Sequence, residues 1–399
     1  MNCSFDCDMD ITELKHHKFI VICVDHYNPL CLIRTLGEAG IKPIVIMATP
    51  KPRFVHLSKY IGKYHSTNSV EEAYELLVSE YGNEKIKPFV IPVWDSIESI
   101  LDVHYEEIKD KFYFFDGGRN GIITKYMNKE TINEAAASVG MRIPKAEVLK
   151  TGELPKHVPY PIITKAIMSM KGGWKSDVFI CRNESELRDS YSHIQSETLL
   201  VEEFIEKKNE LCIDGISING GEYIYMPYKA NYIRFTNKAY GNYMTMSPFD
   251  DKKLSDQIQK LIKKTGFSGI FSIEFLITQD DELVFLEVNF RHSTWAYASK
   301  IGGANLVTIW AKSTIHGCLC LDGVSTTKTP FKAMAELPDF SNHVIKGSTS
   351  LKQWIKDFRD CECTFFYNKE DKKPFFAIVM KEIMRYSKKI VAEKILKKR

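Results

Sequence analysis

The stretch "SIEFLITQDDELVFLEVNFR" carries two carboxylates, an amide and a guanidinium at positions that one face of a sheet can hold together. Gln279-Asp280-Asp281-Glu282 interrupts two apolar, β-branched runs and marks a tight hairpin turn. Counting outward from a two-residue loop at Asp280 and Asp281 sets Glu274 opposite Glu287. Asn289 and Arg291 follow two and four residues later, so the pleat points them to the same side. Like charges directly opposed are destabilising unless something neutralises them. A divalent cation does so. Carboxylates about 5 Å apart at Cβ, with an amide oxygen beside them, form the incomplete hard-oxygen shell with which Mg²⁺ keeps waters and takes further ligands from phosphates. Taken alone, the same residues also read as a solvated sheet face whose carboxylates pair with Arg291.

Positioning such a hairpin requires a scaffold, and the chain reads as α/β throughout. "KFIVICVDHYNPLCLIRTLGEAGIKPIVIMATP" gives strand, helix and strand, a βαβ unit with parallel pairing. The apolar runs "PFVIPVW" and "KFYFFDGG" extend this pattern to about residue 118. The turn after the first strand lacks G-x-G-x-x-G, which argues against a dinucleotide cofactor there. "NKETINEAAASVGMRIP" reads as a helix from about Lys129 to Val139, closed by Gly140 and Pro144. Two strands around a Gly-Gly loop follow in "YPIITKAIMSMKGGWKSDVFICRN", then the strand "TLLVEEFIE". "ELCIDGISINGGEYIYMPYKA" is a strand pair turning at Asn219-Gly220-Gly221, and a helix near Leu254 to Thr265 leads into the hairpin.

Composition excludes several classes. The 399 residues are 44% apolar and 26% charged, enough for two or three packed domains. No apolar run approaches the roughly 20 residues of a membrane span, and the acidic start "MNCSFDCDMD" is unlike a signal peptide. These features place the protein in the cytoplasm. Ten dispersed cysteines fit reduced thiols. The pairs Cys318/Cys320 and Cys361/Cys363 depart from the usual C-x₂₋₄-C zinc spacing, so strand packing is expected of them. Basic residues are not interleaved with aromatics in the body, so no nucleic-acid partner is expected. The net charge is +3, yet the last nineteen residues hold eight Lys/Arg against two Glu, or +6, leaving −3 for the rest. That tail, with Ile390, Val391, Ile395 and Leu396, reads as a solvated basic helix end or as a peripheral contact with anionic lipid at the inner membrane face.

Four segments in order resemble the ATP-grasp superfamily, whose signature is a Glu on one strand and E-x-N-x-R on the next. "SIEFLI…DDELVFLEVNFR" is similar to its metal-binding hairpin, which implies Glu274, Glu287 and Asn289 as ligands of Mg²⁺, with Mn²⁺ as a substitute. "NKETINEAAASVGMRIP" resembles the segment that supplies a phosphate-contacting lysine, here Lys129. "YPIITKAIMSMKGGWKS" resembles the lid, implying that Lys165 reaches the α- and β-phosphates of ATP and that Gly172 and Gly173 cover the triphosphate with backbone N–H groups. "TLLVEEFIEKKNEL" resembles the hinge strand, with Glu202, Glu203, Phe204 and Ile205 around adenine and Glu210 on the ribose. Asn128, Phe290, Lys171 and Trp174 depart from common family residues.

The resemblance implies an N-terminal parallel-sheet pre-ATP-grasp domain over 1–121 and a two-lobed ATP-grasp domain over 122–320. The lid would span about 145–200, with a small C-terminal α/β appendage and basic tail over 321–399. It implies ligation of a carboxylate, small or precursor-bound, to an amine through an acyl phosphate. Arg291 would act at the acyl phosphate, and Lys229 and Arg234 at the transferring phosphate or an acceptor carboxylate. "LEVNFRHSTWAYASKIGGANL" is most similar to the D-aspartate ligase and carbamoyl phosphate synthase-like branch. A homodimer is compatible with this reading. Two rivals stand beside it: an ATP-grasp phosphotransferase, and a non-catalytic nucleotide-binding module.

Overall fold

The computed structural model describes residues 11–167, 177–236 and 239–396. Its first layer is a parallel sheet of β1 (Phe19–Cys23), β2 (Ile44–Met47), β3 (Lys63–Ser66) and β4 (Phe89–Pro92), in the order β3-β2-β1-β4. β1 is apolar at every position because both of its faces are covered. Phe19, Val21 and Cys23 pack towards the rest of the protein, while Ile20 and Ile22 join Leu77, Ile97 and Leu101 from the flanking helices Val70–Tyr81 and Asp95–Val103. The chain builds outward from β1 to β3 and then returns to lay β4 on the other side of β1. The strand order therefore reverses between β1 and β4.

A second, antiparallel sheet holds β5 (Ala146–Lys150), β6 (Ile162–Ala166), β7 (Ile180–Cys181) and β8 (Thr198–Glu203), in the order β5-β8-β6-β7. It has a small core of its own, built on Leu149, Val158, Ile162, Leu187, Leu199 and Val201. The central sheet is larger. It contains β9 (Asn209–Ile218), β10 (Tyr223–Thr236), β11 (Ala239–Pro248), β12 (Gly269–Ile277), β13 (Leu283–Asn289), β14 (Phe331–Met334) and β15 (Cys363–Thr364). Their spatial order is β13-β12-β9-β10-β11-β14-β15.

The stretch expected as an appendage contributes β14 and β15 to this same sheet. Buried Arg34, on the helix Tyr27–Glu38, fastens it to the first layer by donating to the carbonyls of Phe365, Phe366 and Asp371 and to the Asp371 carboxylate. Glu336 accepts the backbone N–H groups of Phe365 and Phe366, both at 3.0 Å. No disulfide joins the eight described cysteines, and among the described residues no group of three or more His, Cys, Asp or Glu is arranged to hold a metal ion. Among the described residues no helix is long and apolar enough to cross a membrane.

The hairpin reaches the anticipated pairing by another route. Thr278 N–H bonds to Glu282 C=O, and Asp281 takes a left-handed backbone with φ of 63°. The loop thus has three residues, and Ile277, Leu276 and Phe275 pair with Leu283, Val284 and Phe285. That register alone would set Glu274 against Leu286. A bulge between Glu274 and Phe275 takes up Leu286 as the extra residue and restores Glu274 opposite Glu287 and Ser272 opposite Asn289.

Candidate active site

The hairpin face gathers its polar side chains as its pairing dictates. Asn289 Nδ2 lies 3.3 Å from an oxygen of Glu274 and 3.3 Å from an oxygen of Glu287, so it bridges the two carboxylates. Its Oδ1 accepts from Arg291 Nη2 at 3.0 Å. Lys129 approaches from the helix Lys129–Ser138, its Nζ 3.5 Å from Glu287 Oε2. The lysine is held at that helix start because Asn128 caps it, accepting from Glu130 and Thr131 N–H at 3.0 and 3.2 Å. Lys129 N–H also bonds to Ile167 C=O at 3.3 Å, beyond the end of β6.

These charges are not equivalent. Burial and then the neighbouring Glu287 push the Glu274 carboxyl well above the usual carboxylate range. Burial works against the charge of Glu287 as well, yet Lys129, the Asn289 amide and Arg291 outweigh it and hold that carboxyl below its usual value. Without a cation the two carboxyls are therefore driven apart, Glu274 towards its protonated form and Glu287 towards its anion. Two carboxylates and an amide converging on one point suit a hard divalent ion completed by water and phosphate oxygens. Turning the Asn289 amide over would present its oxygen to that point.

The second sheet brings the remaining candidates to the same cleft. Lys165 on β6 pairs with Glu202 on β8, and Asn133 Nδ2 lies 3.4 Å from the other oxygen of Glu202. Lys165 contributes to the lowered value of Glu287, as Glu210 does to the raised value of Glu274. Cys212 pairs directly with Glu274, and Glu210, two residues before it, shares that face and is bound by Lys207. Glu202 and Glu203 separate, because neighbouring strand residues face opposite ways. Glu203 instead accepts Lys145 N–H at 3.2 Å. Phe204 donates its N–H to Pro161 C=O at 2.8 Å, and half-buried Ile205 follows it. Gly172 and Gly173 lie outside the described residues.

Two expectations are corrected by register. Lys229 pairs with Ile213, which pairs with Ile273, so it lies on the face opposite Glu274. Arg234, beyond a bulge in β10, pairs with Tyr243 and is engaged by Asp339 and Asp357 at 2.6 and 2.7 Å. Arg234 braces the C-terminal stretch and does not reach the hairpin face. Conversely, Asp95 was not anticipated, although it is bonded to Arg291 Nε. Its signal was its place just after an apolar parallel strand, where open α/β sheets bind ligands.

Residues 124–317 match the family described as carbamoyl-phosphate synthase L chain, ATP binding domain. The chain is 26% identical over 177 residues to an N5-carboxyaminoimidazole ribonucleotide synthase of Staphylococcus aureus, covering 43% of this chain and 45% of that protein. It therefore spans about half the length of the curated relatives it matches. Among solved structures it is similar to an L-amino acid ligase from Bacillus licheniformis, with a TM-score of 0.62 at 12% identity over 79% of each chain. The biotin carboxylase domain of Hydrogenobacter thermophilus 2-oxoglutarate carboxylase, solved with MgADP and bicarbonate, gives a TM-score of 0.60 at 17% identity over 78% of this chain and 73% of that one.

Proposed function

The chain belongs to the ATP-grasp superfamily, and from that premise we propose that it is an ATP-dependent ligase joining a carboxylate to an amine through an acyl phosphate. The observation that carries this reading is the convergence of Glu274, Glu287 and Asn289 on one point, with Lys129 within 3.5 Å and the Lys165–Glu202 pair facing the same cleft. Glu274, Glu287 and Asn289 would hold Mg²⁺, or Mn²⁺ with the same hard-oxygen preference, which when bound supplies charge neutralisation to the phosphates.

In this reading Lys129 and Lys165 would meet phosphate oxygens, and Glu202 and Glu210 would take the nucleoside. An acceptor carboxylate oxygen attacks the γ-phosphorus, the bond to the β–γ bridging oxygen breaks, and ADP leaves. The amine attacks the acyl carbon, sheds a proton, and phosphate leaves. This chemistry asks mainly for positioning and electrostatic stabilisation, and Arg291 offers its guanidinium where the acyl phosphate forms. ADP release that requires both an acid and an amine tests the reading; a stable phosphorylated product formed without any amine would make the protein a phosphotransferase.

The basic tail supports a peripheral role. The helix Lys373–Leu396 exposes Phe376, Met380, Ile383 and Met384 along one side, each more than half accessible. Basic residues following an exposed apolar stripe suit an anionic bilayer. The full chain is expected to co-sediment with phosphatidylserine vesicles and not with phosphatidylcholine vesicles; equal sedimentation with both would remove this role.

A further inference from the structure

The strand order of the first sheet reverses between β1 and β4, and open α/β sheets bind ligands in the crevice beyond the carboxyl ends of strands at such a point. Here those ends are Asp25-His26 after β1 and Trp94-Asp95 after β4. Trp94 is 42% exposed although Val93 and Ile97 beside it are buried. Its indole lies 6.1 Å from the His26 ring, roughly edge to face. The imidazole is fixed by accepting Asn28 N–H at 3.2 Å, and the Asn28 amide clamps His292 through bonds of 2.9 and 2.8 Å. His292 follows Arg291, so the ends of β1, β4 and β13 meet in one corner. At its centre Arg291 and Asp95 form an ion pair that is still about one-fifth and one-quarter exposed.

An accessible pair of opposite charges beside a reaction centre is matched by a ligand carrying both charges. Building on the ligase reading, we propose that this crevice binds the acceptor as an α-amino acid with an aromatic or large apolar side chain. The carboxylate takes the Arg291 guanidinium, which places it next to the hairpin. The ammonium takes Asp95, and the side chain lies against Trp94 and His26. A simple carboxylic acid would leave Asp95 stranded beside a new anion, and a simple amine would draw Asp95 from Arg291 with no anion to replace it. The pair thus selects for the zwitterion, and the rings select for the side chain.

Calorimetry on the full chain with MgADP tests this, using L- and D-phenylalanine, L-alanine, 3-phenylpropanoate and 2-phenylethylamine as probes. One phenylalanine enantiomer is expected to bind roughly tenfold or more tightly than alanine, in keeping with the worth of aromatic contacts, and also more tightly than either singly charged analogue. Trp94→Ala should bring phenylalanine down to the level of alanine while MgADP binding is unchanged. Asp95→Asn should erase the preference for phenylalanine over 3-phenylpropanoate. If the protein binds MgADP but no amino acid, or binds 3-phenylpropanoate as well as phenylalanine, the proposal is overturned and the Arg291–Asp95 pair is only a structural tie. Failure to bind MgADP would instead overturn the ligase reading itself.

Discussion

The two opposed carboxylates should respond differently to the same change. Burial and the neighbouring Glu287 favour the neutral form of Glu274, so Glu274→Gln, which is neutral and of similar shape, should leave stability within about 0.5 kcal/mol of the parent. Glu287 is the anion that Lys129 and Arg291 face. Its side chain is 36% exposed and Lys129 stands at 3.5 Å, so solvent screening keeps that interaction near 1 kcal/mol. Glu287→Gln should therefore cost about 1 kcal/mol, and the loss should shrink in high salt. In the presence of Mg²⁺ and a non-hydrolysable ATP analogue the asymmetry disappears, because both side chains are needed as ligands. Each variant should then lose at least about a hundredfold in metal-dependent nucleotide affinity, more than outer-shell changes typically cost. Urea denaturation without ligand, followed by calorimetry with it, measures both quantities. A Glu274→Gln protein less stable than Glu287→Gln without ligand would refute the inequality of the two carboxyls, and unchanged magnesium-dependent binding in both would refute the metal face.

Three further outcomes follow from the packing. Arg234→Met leaves the fully buried Asp339 carboxylate without its guanidinium, which should cost about 3–5 kcal/mol in urea while the folded protein keeps its nucleotide affinity. Burial pushes Glu336 up to about 6; its folded value lies above the unfolded one, so the associated stability is full below pH 4.5 and is lost as pH rises through about 6. Glu336→Gln should flatten that slope in melting curves between pH 4.5 and 6, whatever it does to absolute stability. Deleting Val288 leaves Glu287 opposite Glu274 but slips Asn289 onto the face of Ile273, so the hairpin should lose magnesium-dependent nucleotide binding, measurable by fluorescence titration.

The hairpin illustrates what local sequence can and cannot convey. Alternation and the break at Gln279 to Glu282 were enough to set Glu274 against Glu287, but the agreement is between a two-residue loop and a three-residue loop corrected by a bulge. A bulge at Leu286 leaves no compositional mark, because any residue can be the extra one. Lys229 and Arg234 failed for a related reason: "MPYKANYIRF" alternates without saying which face meets the cleft, and the bulge in β10 reverses parity partway along. The helix start at Lys129 was legible because Asn128 caps it locally. Asp95 was not, since its partner lies 196 residues away. The C-terminal stretch hid its place in the central sheet because β14 and β15 have only four and two residues, too few for a period to show, and because buried Arg34 finds its partners more than 330 residues on.

The central claim is that a carboxylate is activated as an acyl phosphate on the hairpin face, and hydroxylamine trapping measures that directly. The protein is incubated with Mg²⁺, ATP, hydroxylamine and a pool of amino acids and other carboxylic acids, and hydroxamates are read by mass spectrometry beside ADP. The account predicts one or a few hydroxamates, formed in step with ADP and absent from Glu287→Gln. ADP accumulating with no dependence on any acid, or a stable phosphorylated product in place of a hydroxamate, would contradict it.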